Sequence, residues 1–352
     1  MAAALSLKDL AVPLGIEPME AKLVNELPHE EGWQFEPKWD GFRCLAYRAG
    51  EEADLRAKSG KTLARYFPEV VDMLLGLKAK EFVLDGELAV PVGDTLSFDA
   101  LQMRIHPAES RIKKLAVETP ALLILFDMLL DAKGMSLIEA PLDKRRAALE
   151  SFYEKAGERN DLKLSPYTRE RAVAERWLKD ARGALDGVVA KRIDGAYIPG
   201  ERAMLKVKEI RTADCVVGGF RYASGSKLVG SLLLGLYDKD GKLDHVGFTS
   251  TITNEERPAM TKMLEALIAP PGFTGKAPGG PSRWSTERSG EWEPLKPKLV
   301  VEVRYDQVTG DRFRHGTKLV RFRPDKSPKQ CTFEQIEPAM LPENFKRLLT
   351  GS

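Results

Sequence analysis

The chain has 352 residues, of which 43% are apolar and 30% charged, the composition of a soluble globular protein long enough for two ordinary domains. No stretch approaches the roughly 20 apolar residues that a membrane span needs, and Lys8 and Asp9 follow too soon after the N-terminal alanines for a secretory signal. These features exclude a membrane protein and predict a cytoplasmic one.

Charge and the metal-binding residue types narrow the possible sites. The 54 basic residues nearly balance the 52 acidic ones, so the net charge of +2 by itself says nothing about nucleic acid. The three cysteines are too few and too widely separated for a disulfide framework or a four-cysteine zinc site, and the four scattered histidines disfavour a histidine-built one. We therefore expect any metal to be held by carboxylates.

The first 210 residues or so predict an α+β domain. Apolar and β-branched runs bounded by turn residues predict strands at residues 44–47, 81–90, 122–130 and 186–192. Apolar residues at three- and four-residue spacing, with charges on the opposite face, predict amphipathic helices at residues 66–77, 142–155 and 169–182.

Past residue 208 the pattern changes to short strands. These are predicted at residues 214–222, 231–237, 243–249, 299–307 and 318–323, with one helix at residues 255–268. Five short strands and a helix are what a small Greek-key barrel of the oligonucleotide-binding (OB) type needs. The stretch 269–294, rich in proline and glycine, predicts a long mobile connection within that barrel.

Basic residues and aromatic residues are interleaved between Lys296 and Lys329. This mixture can neutralise phosphates and stack on sugars or bases. A solvated basic face of a β domain is an equally good interpretation of this stretch taken alone.

The segment Glu36-Pro37-Lys38-Trp39-Asp40-Gly41-Phe42-Arg43 carries groups suited to chemistry at phosphorus. A lysine that attacks phosphorus must be unprotonated, a state that nearby cations or a bound metal favour. Asp40 is a candidate ligand for such a metal, and Gly41 permits a tight turn. Arg43 can hold a phosphate or a carboxylate with two parallel hydrogen bonds. The four-residue pattern around Lys38 is weak evidence when it stands alone.

Further candidates lie on the predicted strands. Glu87 is placed where a carboxylate can hold a ribose hydroxyl or a hydrated metal, and Phe126 can stack on a nucleobase such as adenine. Lys206 and Lys208 alternate so that both point to one face of a strand, which suits a phosphate. The ordinary alternatives are a hairpin turn at residues 85–87, a core aromatic and a solvated strand face.

In chain order these segments resemble the motifs of the covalent nucleotidyltransferase family, which includes ATP-dependent DNA ligases, RNA ligases and mRNA capping enzymes. The matching segments are Lys38-Trp39-Asp40-Gly41, Ser59-Gly60-Lys61-Thr62 with Phe67-Pro68-Glu69, Asp85-Gly86-Glu87, Leu125-Phe126-Asp127, Asp186-Gly187-Val188-Val189-Ala190-Lys191, Leu205-Lys206-Val207-Lys208 and Arg321-Phe322-Arg323-Pro324-Asp325-Lys326. Each segment alone has an ordinary explanation, but their fixed order covers nearly the whole chain. The occurrence of all these segments in one order therefore supports the resemblance to this family.

The resemblance implies an α+β protein with a nucleotidyltransferase (adenylation) domain at residues 1–208, followed by an OB-fold β-barrel domain at residues 209–352. It implies that Lys38 is the catalytic nucleophile and carries AMP. It implies contacts with the nucleotide cofactor from Glu36, Arg43, Lys58, Glu87, Phe126, Arg202, Lys206, Lys208, Arg323 and Lys326, and metal contacts from Asp40, Glu87 and Asp186.

Within that set the resemblance implies individual roles. Glu36 lies beside the adenine, Arg43 contacts the ribose or the bound nick, and Arg202 lies near the nucleotide. Arg323 and Lys326 orient the pyrophosphate leaving group opposite the nucleophile, since in-line displacement demands that alignment.

Two positions depart from the family pattern. Asp186 stands where many relatives have glutamate, so metal contact there is expected at an altered distance or through water. Lys58 stands where relatives carry arginine, and lysine offers a point charge rather than a rigid fork.

Longer sequence segments resemble those of the small bacterial ATP-dependent repair ligases of the ligase C type and of the ligase domain of ligase D. They include residues 36–43, 197–202 and 314–317. The resemblance implies ATP rather than NAD, Mg²⁺ or Mn²⁺, nicked double-stranded DNA as substrate, and a repair polymerase or end-binding protein as partner. It also implies a monomer whose two domains move about a hinge near residues 208–212.

Two other functions remain open from the sequence. A capping guanylyltransferase or an RNA ligase uses the same lysine chemistry with a different nucleotide or strand. A nucleic-acid-binding scaffold with a vestigial site is the alternative from another class, and the presence of Lys38, Glu87, Lys206 and Lys208 argues against it.

Overall fold

The computed structural model describes residues 5–93, 95–180, 185–208, 210–279 and 291–336. The chain divides into two compact units. Of the described residues, unit 1 holds 5–93, 95–180 and 185–208, and unit 2 holds 210–279 and 291–336. In the described ranges, every helix is too short or too polar to cross a membrane.

Unit 1 contains long strands interspersed with helices. In chain order its elements are β1 Ala21–Leu23, β2 Trp33–Trp39, β3 Phe42–Ala49, β4 Glu52–Ala57, α1 Pro68–Gly76, β5 Glu81–Ala89, β6 Pro91–Val92, β7 Thr95–Leu96, α2 Phe98–Arg104, α3 Glu109–Glu118, β8 Leu122–Leu130, α4 Leu142–Ala156, β9 Leu162–Leu164, α5 Arg171–Asp180, β10 Leu185–Arg192 and β11 Met204–Val207.

Two sheets pack face to face in unit 1. One has the strand order β4-β3-β5-β8-β9 and the other the order β1-β11-β10-β2. Trp39 and Leu185 from the second sheet share a buried cluster with Ala89 and Ile124 from the first. Burial of such side chains stabilises the pairing of the sheets by roughly 1.5–3 kcal/mol for each large residue.

Helices α1 and α4 cover the outer face of the five-stranded sheet. Their apolar stripes supply Leu74, Leu149 and Phe152 to a core that also holds Leu123 and Leu125 of β8. The helix predicted at residues 66–77 begins at Pro68, because proline is favoured in the first turn of a helix and the preceding residues form a short 3₁₀ turn.

Most predicted elements of unit 1 are confirmed, with ends shifted by a few residues. The main omission is β2, which carries the nucleophile motif. Its sequence, Trp33-Gln34-Phe35-Glu36-Pro37-Lys38-Trp39, mixes charges, a proline and aromatic residues and therefore lacks the apolar run of a buried strand. Tertiary pairing with β10 overrides that weak local preference.

Unit 2 is built on an antiparallel sheet. Its elements are β12 Arg211–Tyr222, β13 Val229–Tyr237, β14 Leu243–Thr249, α6 Arg257–Glu265, β15 Glu293–Pro294, β16 Val300–Tyr305, β17 Val308–Thr309, β18 Arg312–Phe313 and β19 Lys318–Phe322. The sheet order is β14-β13-β12-β16-β19, and an isolated bridge between Thr249 and Thr317 brings its two edges together. The five predicted strands and the predicted helix are confirmed.

The interpretation of residues 269–294 as a long mobile connection is wrong for the part that the structure describes. Phe273 is buried in the core, and Trp292 packs against its ring at 5.5 Å between centroids. Gly218 and Gly219 on β12 make room for these rings, since a Cβ atom on either would lie within 2.6 Å of a ring carbon. Residues 280–290 lie outside the described part.

Candidate active site

Lys38 lies near the end of β2, beside a β-bulge in the neighbouring strand. Lys38 is paired with Gly187 of β10, and the register skips Asp186, which is the extra residue. A bulge re-aims the side chain of its extra residue, and the Asp186 carboxylate forms an ion pair with the Lys38 ammonium group. The second carboxylate oxygen of Asp186 lies 3.1 Å from Nζ of Lys208.

Glycine follows each of two aspartates of the site, Asp186 and Asp40, at positions where two backbone segments approach closely. Gly187 has a φ of 132°, and a Cβ atom on it would clash with the carbonyl oxygen of Val207 on β11. A Cβ atom on Gly41 would clash with the carbonyl oxygen of Leu88. Only glycine adopts such a φ without strain and leaves this space free.

Phe126 is the extra residue of a second bulge. The pairing of β8 with β5 passes from Asp127 directly to Leu125, so Phe126 leaves the regular alternation and stays half-buried. The Arg43 guanidinium lies 4.6 Å from the centre of its ring, and Nζ of Lys191 lies 4.9 Å from it. Both contacts are within the range of cation–π attraction.

Glu36 is buried and both of its carboxylate oxygens have partners. Oε2 lies 2.8 Å from Nζ of Lys191, and Oε1 accepts a 2.8 Å hydrogen bond from the side-chain amide of Gln34. Lys191 also donates a 3.3 Å hydrogen bond to the carbonyl oxygen of Phe126. These contacts hold Glu36 and Phe126 in one rigid group, since a buried carboxylate is stable only when paired.

Arg43 is held by a buried carboxylate from β5. Nε and Nη2 of Arg43 each donate to one oxygen of Asp85, and Nη2 also donates to the Met19 carbonyl oxygen at 3.3 Å. The Tyr197 hydroxyl donates to Asp85 at 2.7 Å and accepts from the Met19 N–H group at 2.9 Å. Such a bidentate pair fixes both the position and the plane of the guanidinium.

Glu87 lies across the β3–β5 pairing from Arg43 and has a perturbed pKa. Burial raises the pKa of Glu87 from 4.5 to about 7, and the charges of Lys38 and Arg43 oppose that shift while Asp40 adds to it. A carboxylate that is costly to ionise and lies near a second carboxylate is a typical ligand for a divalent cation.

Four further cations surround the Lys38 end of the site, and carboxylates pair with several of them. Burial lowers the pKa of Lys206, and the nearby charges of Lys38 and Lys208 lower it further. Nζ of Lys58 lies 2.8 Å from Glu20, and Nε of Arg202 lies 3.9 Å from the same carboxylate. This concentration of positive charge suits a polyanionic ligand.

In unit 2 the cations of the last motif gather on one carboxylate of β12. Nη1 of Arg323 lies 3.0 Å from Asp214, and Nζ of Lys326 lies 2.6 Å from it. Arg323 also donates to Asp325 and lowers the pKa of that carboxyl to about 2. Gln335 brackets the Asp214 backbone by accepting from its N–H group and donating to its carbonyl oxygen.

The structure brings Lys38, Asp186, Lys206 and Lys208 close together. Strand β11 ends at Val207, so Lys208 lies one residue beyond it and reaches Asp186 from the following segment.

Several basic side chains between Lys296 and Lys329 have partners within the protein. Arg321 is paired with Glu302 at 2.7 Å, and Arg314 donates to Gln307 at 2.6 Å. Arg323 is likewise paired with Asp214. These basic side chains therefore already have partners within the protein before any nucleic acid binds.

Several residues that hold this arrangement were not among the predicted site residues, including Lys191, Asp85, Tyr197, Glu20 and Asp214. Lys191 and Asp85 lie inside the matched motifs, and Tyr197 lies in one of the longer matched segments, so a signal for them exists in the sequence. Asp214 carries no such signal, because an aspartate near the start of a predicted strand is common.

Two family models match the chain. Residues 18–208 match the ATP dependent DNA ligase domain, and residues 225–326 match the ATP dependent DNA ligase C terminal region. The chain belongs to the ATP-dependent DNA ligase family. Its first unit is therefore the nucleotidyltransferase domain and its second the OB-fold domain, which confirms the predicted fold class.

Individual DNA ligases are similar over nearly the whole length. DNA ligase C1 of Mycolicibacterium smegmatis is 44% identical, with 94% of this chain and 96% of that protein covered. DNA ligase C of Mycobacterium tuberculosis is 40% identical, with 92% and 94% covered. A solved structure of a Lig E DNA ligase covers 86% of this chain and 99% of its own, with a TM-score of 0.54 at 16% identity, and shows the fold alone.

The family membership confirms the predicted activity. This ligase uses ATP to join DNA ends, as the order of motifs implied. ATP as the nucleotide cofactor is likewise confirmed at the level of the family.

Proposed function

We propose that Lys38 is the nucleophile that carries AMP in this ligase and that the DNA substrate is a nicked duplex. The observation that carries this proposal is the position of the Lys38 ammonium group. It contacts Asp186, lies close to Lys206 and Lys208, and is joined through β2 to the Glu36 and Phe126 group. An amine at the junction of a phosphate-binding and a base-binding region is placed for nucleotidyl transfer.

Three displacements at phosphorus follow. Lys38 attacks the α-phosphorus of ATP, a nitrogen–phosphorus bond forms, and pyrophosphate leaves. The 5′-phosphate at the nick then attacks the same phosphorus and releases the lysine, which yields the adenylated DNA end. The 3′-hydroxyl finally attacks the 5′-phosphorus, and AMP leaves as the phosphodiester bond forms.

The adenosine is held by the rigid group around Phe126. We assign adenine recognition to Glu36, stacking to Phe126, and contact with the ribose or the bound nick to Arg43. The buried pairing of Glu36 with Lys191 and of Arg43 with Asp85 supports these roles, because both side chains are oriented before the nucleotide binds.

The phosphates are held by the surrounding cations. Lys206 and Lys208 contact the α-phosphate, and Lys58 and Arg202 lie further along the phosphate chain or at the 5′-phosphate of the nick. Arg323 and Lys326 orient the pyrophosphate for the first step, which requires the OB-fold domain to close over the nucleotide and to open for DNA.

The residues fit a magnesium or manganese ion held jointly by protein and nucleotide. No group of three or more His, Cys, Asp or Glu side chains in the described ranges forms a complete cage, and Mg²⁺ commonly uses one or two carboxylates with phosphate oxygens and water. Asp40 and Glu87 are the favoured ligands; Asp186, already paired with two lysines, is the third. The ion supplies neutralisation of phosphate charge.

We further propose a role in DNA repair, by a monomer with domains at residues 1–208 and 209–352. A region of the multifunctional non-homologous end joining protein LigD of Mycolicibacterium smegmatis is 30% identical over 313 residues, which are 37% of that protein. A repair polymerase or an end-binding protein is the expected partner.

Incubation with α-labelled ATP and magnesium, followed by denaturing electrophoresis, tests the assignment of Lys38. We expect an acid-labile label on the wild type and on Lys22→Ala, an exposed lysine on β1, and none on Lys38→Ala with unchanged thermal unfolding. Label retained on Lys38→Ala contradicts the assignment.

A further inference from the structure

We propose that Glu20 is a stand-in for phosphate: its carboxylate holds Lys58 and Arg202 in the substrate-free protein, and a phosphate group of the substrate displaces it. This inference rests on the proposed role of these two cations as phosphate ligands. It assigns Glu20 a part in selecting substrates by their phosphate charge.

The carboxylate is shared between two cations from distant parts of the chain. Oε1 of Glu20 lies 2.8 Å from Nζ of Lys58, in the turn after β4, and Oε2 lies 3.9 Å from Nε of Arg202, before β11. Lys206 is also close enough to act on Glu20, and the hydrogen bond from Lys58 is the main reason that the pKa of Glu20 is lowered. One anion thus balances cations from the turn that follows β4, in the five-stranded sheet, and from the segment that precedes β11, in the four-stranded sheet.

The anion is anchored, whereas the cations are free to move. The Glu20 N–H group donates to the Glu201 carbonyl oxygen at 2.8 Å, and the Met204 N–H group donates to the Glu20 carbonyl oxygen at 3.1 Å. The side chains of Lys58 and Arg202 are 60% and 74% exposed, against 28% for Glu20. A long exposed lysine or arginine exchanges partners at little cost.

A phosphate group competes well with a carboxylate at this position. It carries more charge and more acceptor oxygens, and arginine and lysine bind it with charge-assisted hydrogen bonds. The ion pairs that it replaces are exposed and therefore weak. The exchange leaves Glu20 close to the arriving phosphate, so the carboxylate opposes weakly charged or uncharged groups that cannot displace it.

The same pattern occurs at the nucleophile. Asp186 is shared between Lys38 and Lys208, as Glu20 is shared between Lys58 and Arg202. Asp186 is buried and its pairs are part of the catalytic centre, whereas Glu20 lies at the partly exposed margin. The ordinary alternative for Glu20 is a surface ion pair that only ties the two sheets together, and this alternative predicts a different result.

Substitution of Glu20 by glutamine tests the proposal in two arms. In the first, the KM for ATP in self-adenylylation is measured without DNA. In the second, pre-adenylated protein in EDTA is titrated with nicked duplex bearing a 5′-phosphate or a 5′-hydroxyl. We expect Glu20→Gln to tighten binding of the phosphate-bearing ligand about fivefold, which corresponds to the upper end of the free energy of an exposed ion pair. Binding of the 5′-hydroxyl nick should stay unchanged.

The arm that responds identifies the displacing group: the triphosphate of ATP, the 5′-phosphate of the nick, or both. Glu51→Gln, which removes the partner of Lys80 in another exposed pair, is the matched control and leaves both arms unchanged. Thermal unfolding establishes that each variant is folded. Unchanged or weaker phosphate binding by folded Glu20→Gln overturns the proposal, as does equal tightening of the 5′-hydroxyl nick.

Lys58→Ala and Arg202→Ala separate this inference from the function on which it rests. If both variants bind phosphate-bearing ligands like the wild type, their proposed role as phosphate ligands is wrong. If they weaken binding while Glu20→Gln does not tighten it, the phosphate ligands stand and only the displacement of Glu20 is wrong.

Discussion

Asp186 contacts Lys38 although the two residues are not paired in the sheet. The register places Gly187 opposite Lys38, and the bulge turns Asp186 toward the ammonium group. The strand partner of the proposed nucleophile is thus a glycine without a side chain, and the residue before it supplies the charge.

Removal of the Asp186 charge should impair the first chemical step. We expect Asp186→Asn to slow self-adenylylation about 100-fold, because Lys38 and Lys208 lose the carboxylate that holds them. Asp186→Glu restores the charge one methylene further out and should recover most of the rate. Single-turnover labelling measures both, and Asp194→Asn, which removes an exposed partner of Arg192, serves as the control.

The backbone at Gly187 should tolerate no side chain. We expect Gly187→Ala to lower the free energy of unfolding by roughly 2–3 kcal/mol, because alanine is strained at a φ of 132° and its Cβ clashes with Val207. Gly76→Ala, in α1 with open space around it, should instead raise that free energy by about 0.5–1 kcal/mol. Urea unfolding of the two variants distinguishes them, and equal effects would contradict the assignment of strain.

The raised pKa of Glu87 predicts a pH-dependent cost to stability in metal-free protein. The folded protein retains a proton on Glu87 up to about pH 7, whereas the unfolded chain releases it near 4.5. The free energy of unfolding therefore falls as pH rises through this window.

Glu87→Gln removes that cost. In EDTA we expect the variant to be more stable than the wild type by roughly 1–3 kcal/mol at pH 8, with little difference at pH 4.5. Denaturant unfolding at the two pH values provides the measurement. A variant equally or less stable at pH 8 would show that Glu87 ionises without cost.

Arg323 and Lys326 of the OB-fold domain should contribute to self-adenylylation and not to the sealing step. We expect Asp214→Asn to slow self-adenylylation about tenfold and Arg323→Ala about 100-fold, because pyrophosphate orientation is lost. Sealing of a chemically pre-adenylated nick should stay within about threefold of the wild type. Asp311→Asn, at an exposed pair with Lys276, is the control, and equal loss in both steps would point to a structural role for Asp214.

Local sequence determined the identity of the groups and the broad architecture. The motifs around Lys38, Glu87, Lys206 and Arg323 name the chemistry because each needs particular side chains at a fixed spacing. The strands of unit 2 follow from short apolar runs between turn residues, a local signal that the structure confirms. Family resemblance then assembles these segments into one enzyme.

Tertiary structure decided how those groups are aimed and which carboxylates hold them. The bulges at Phe126 and Asp186 are properties of pairing between strands far apart in sequence, so no periodicity within one strand reveals them. Asp85 with Tyr197, and Asp214 with Lys326, meet across more than 100 residues. Packing of Phe273 against Gly218 and of Trp292 against Gly219 likewise makes a proline- and glycine-rich stretch part of a core, because burial of the aromatic rings outweighs local flexibility.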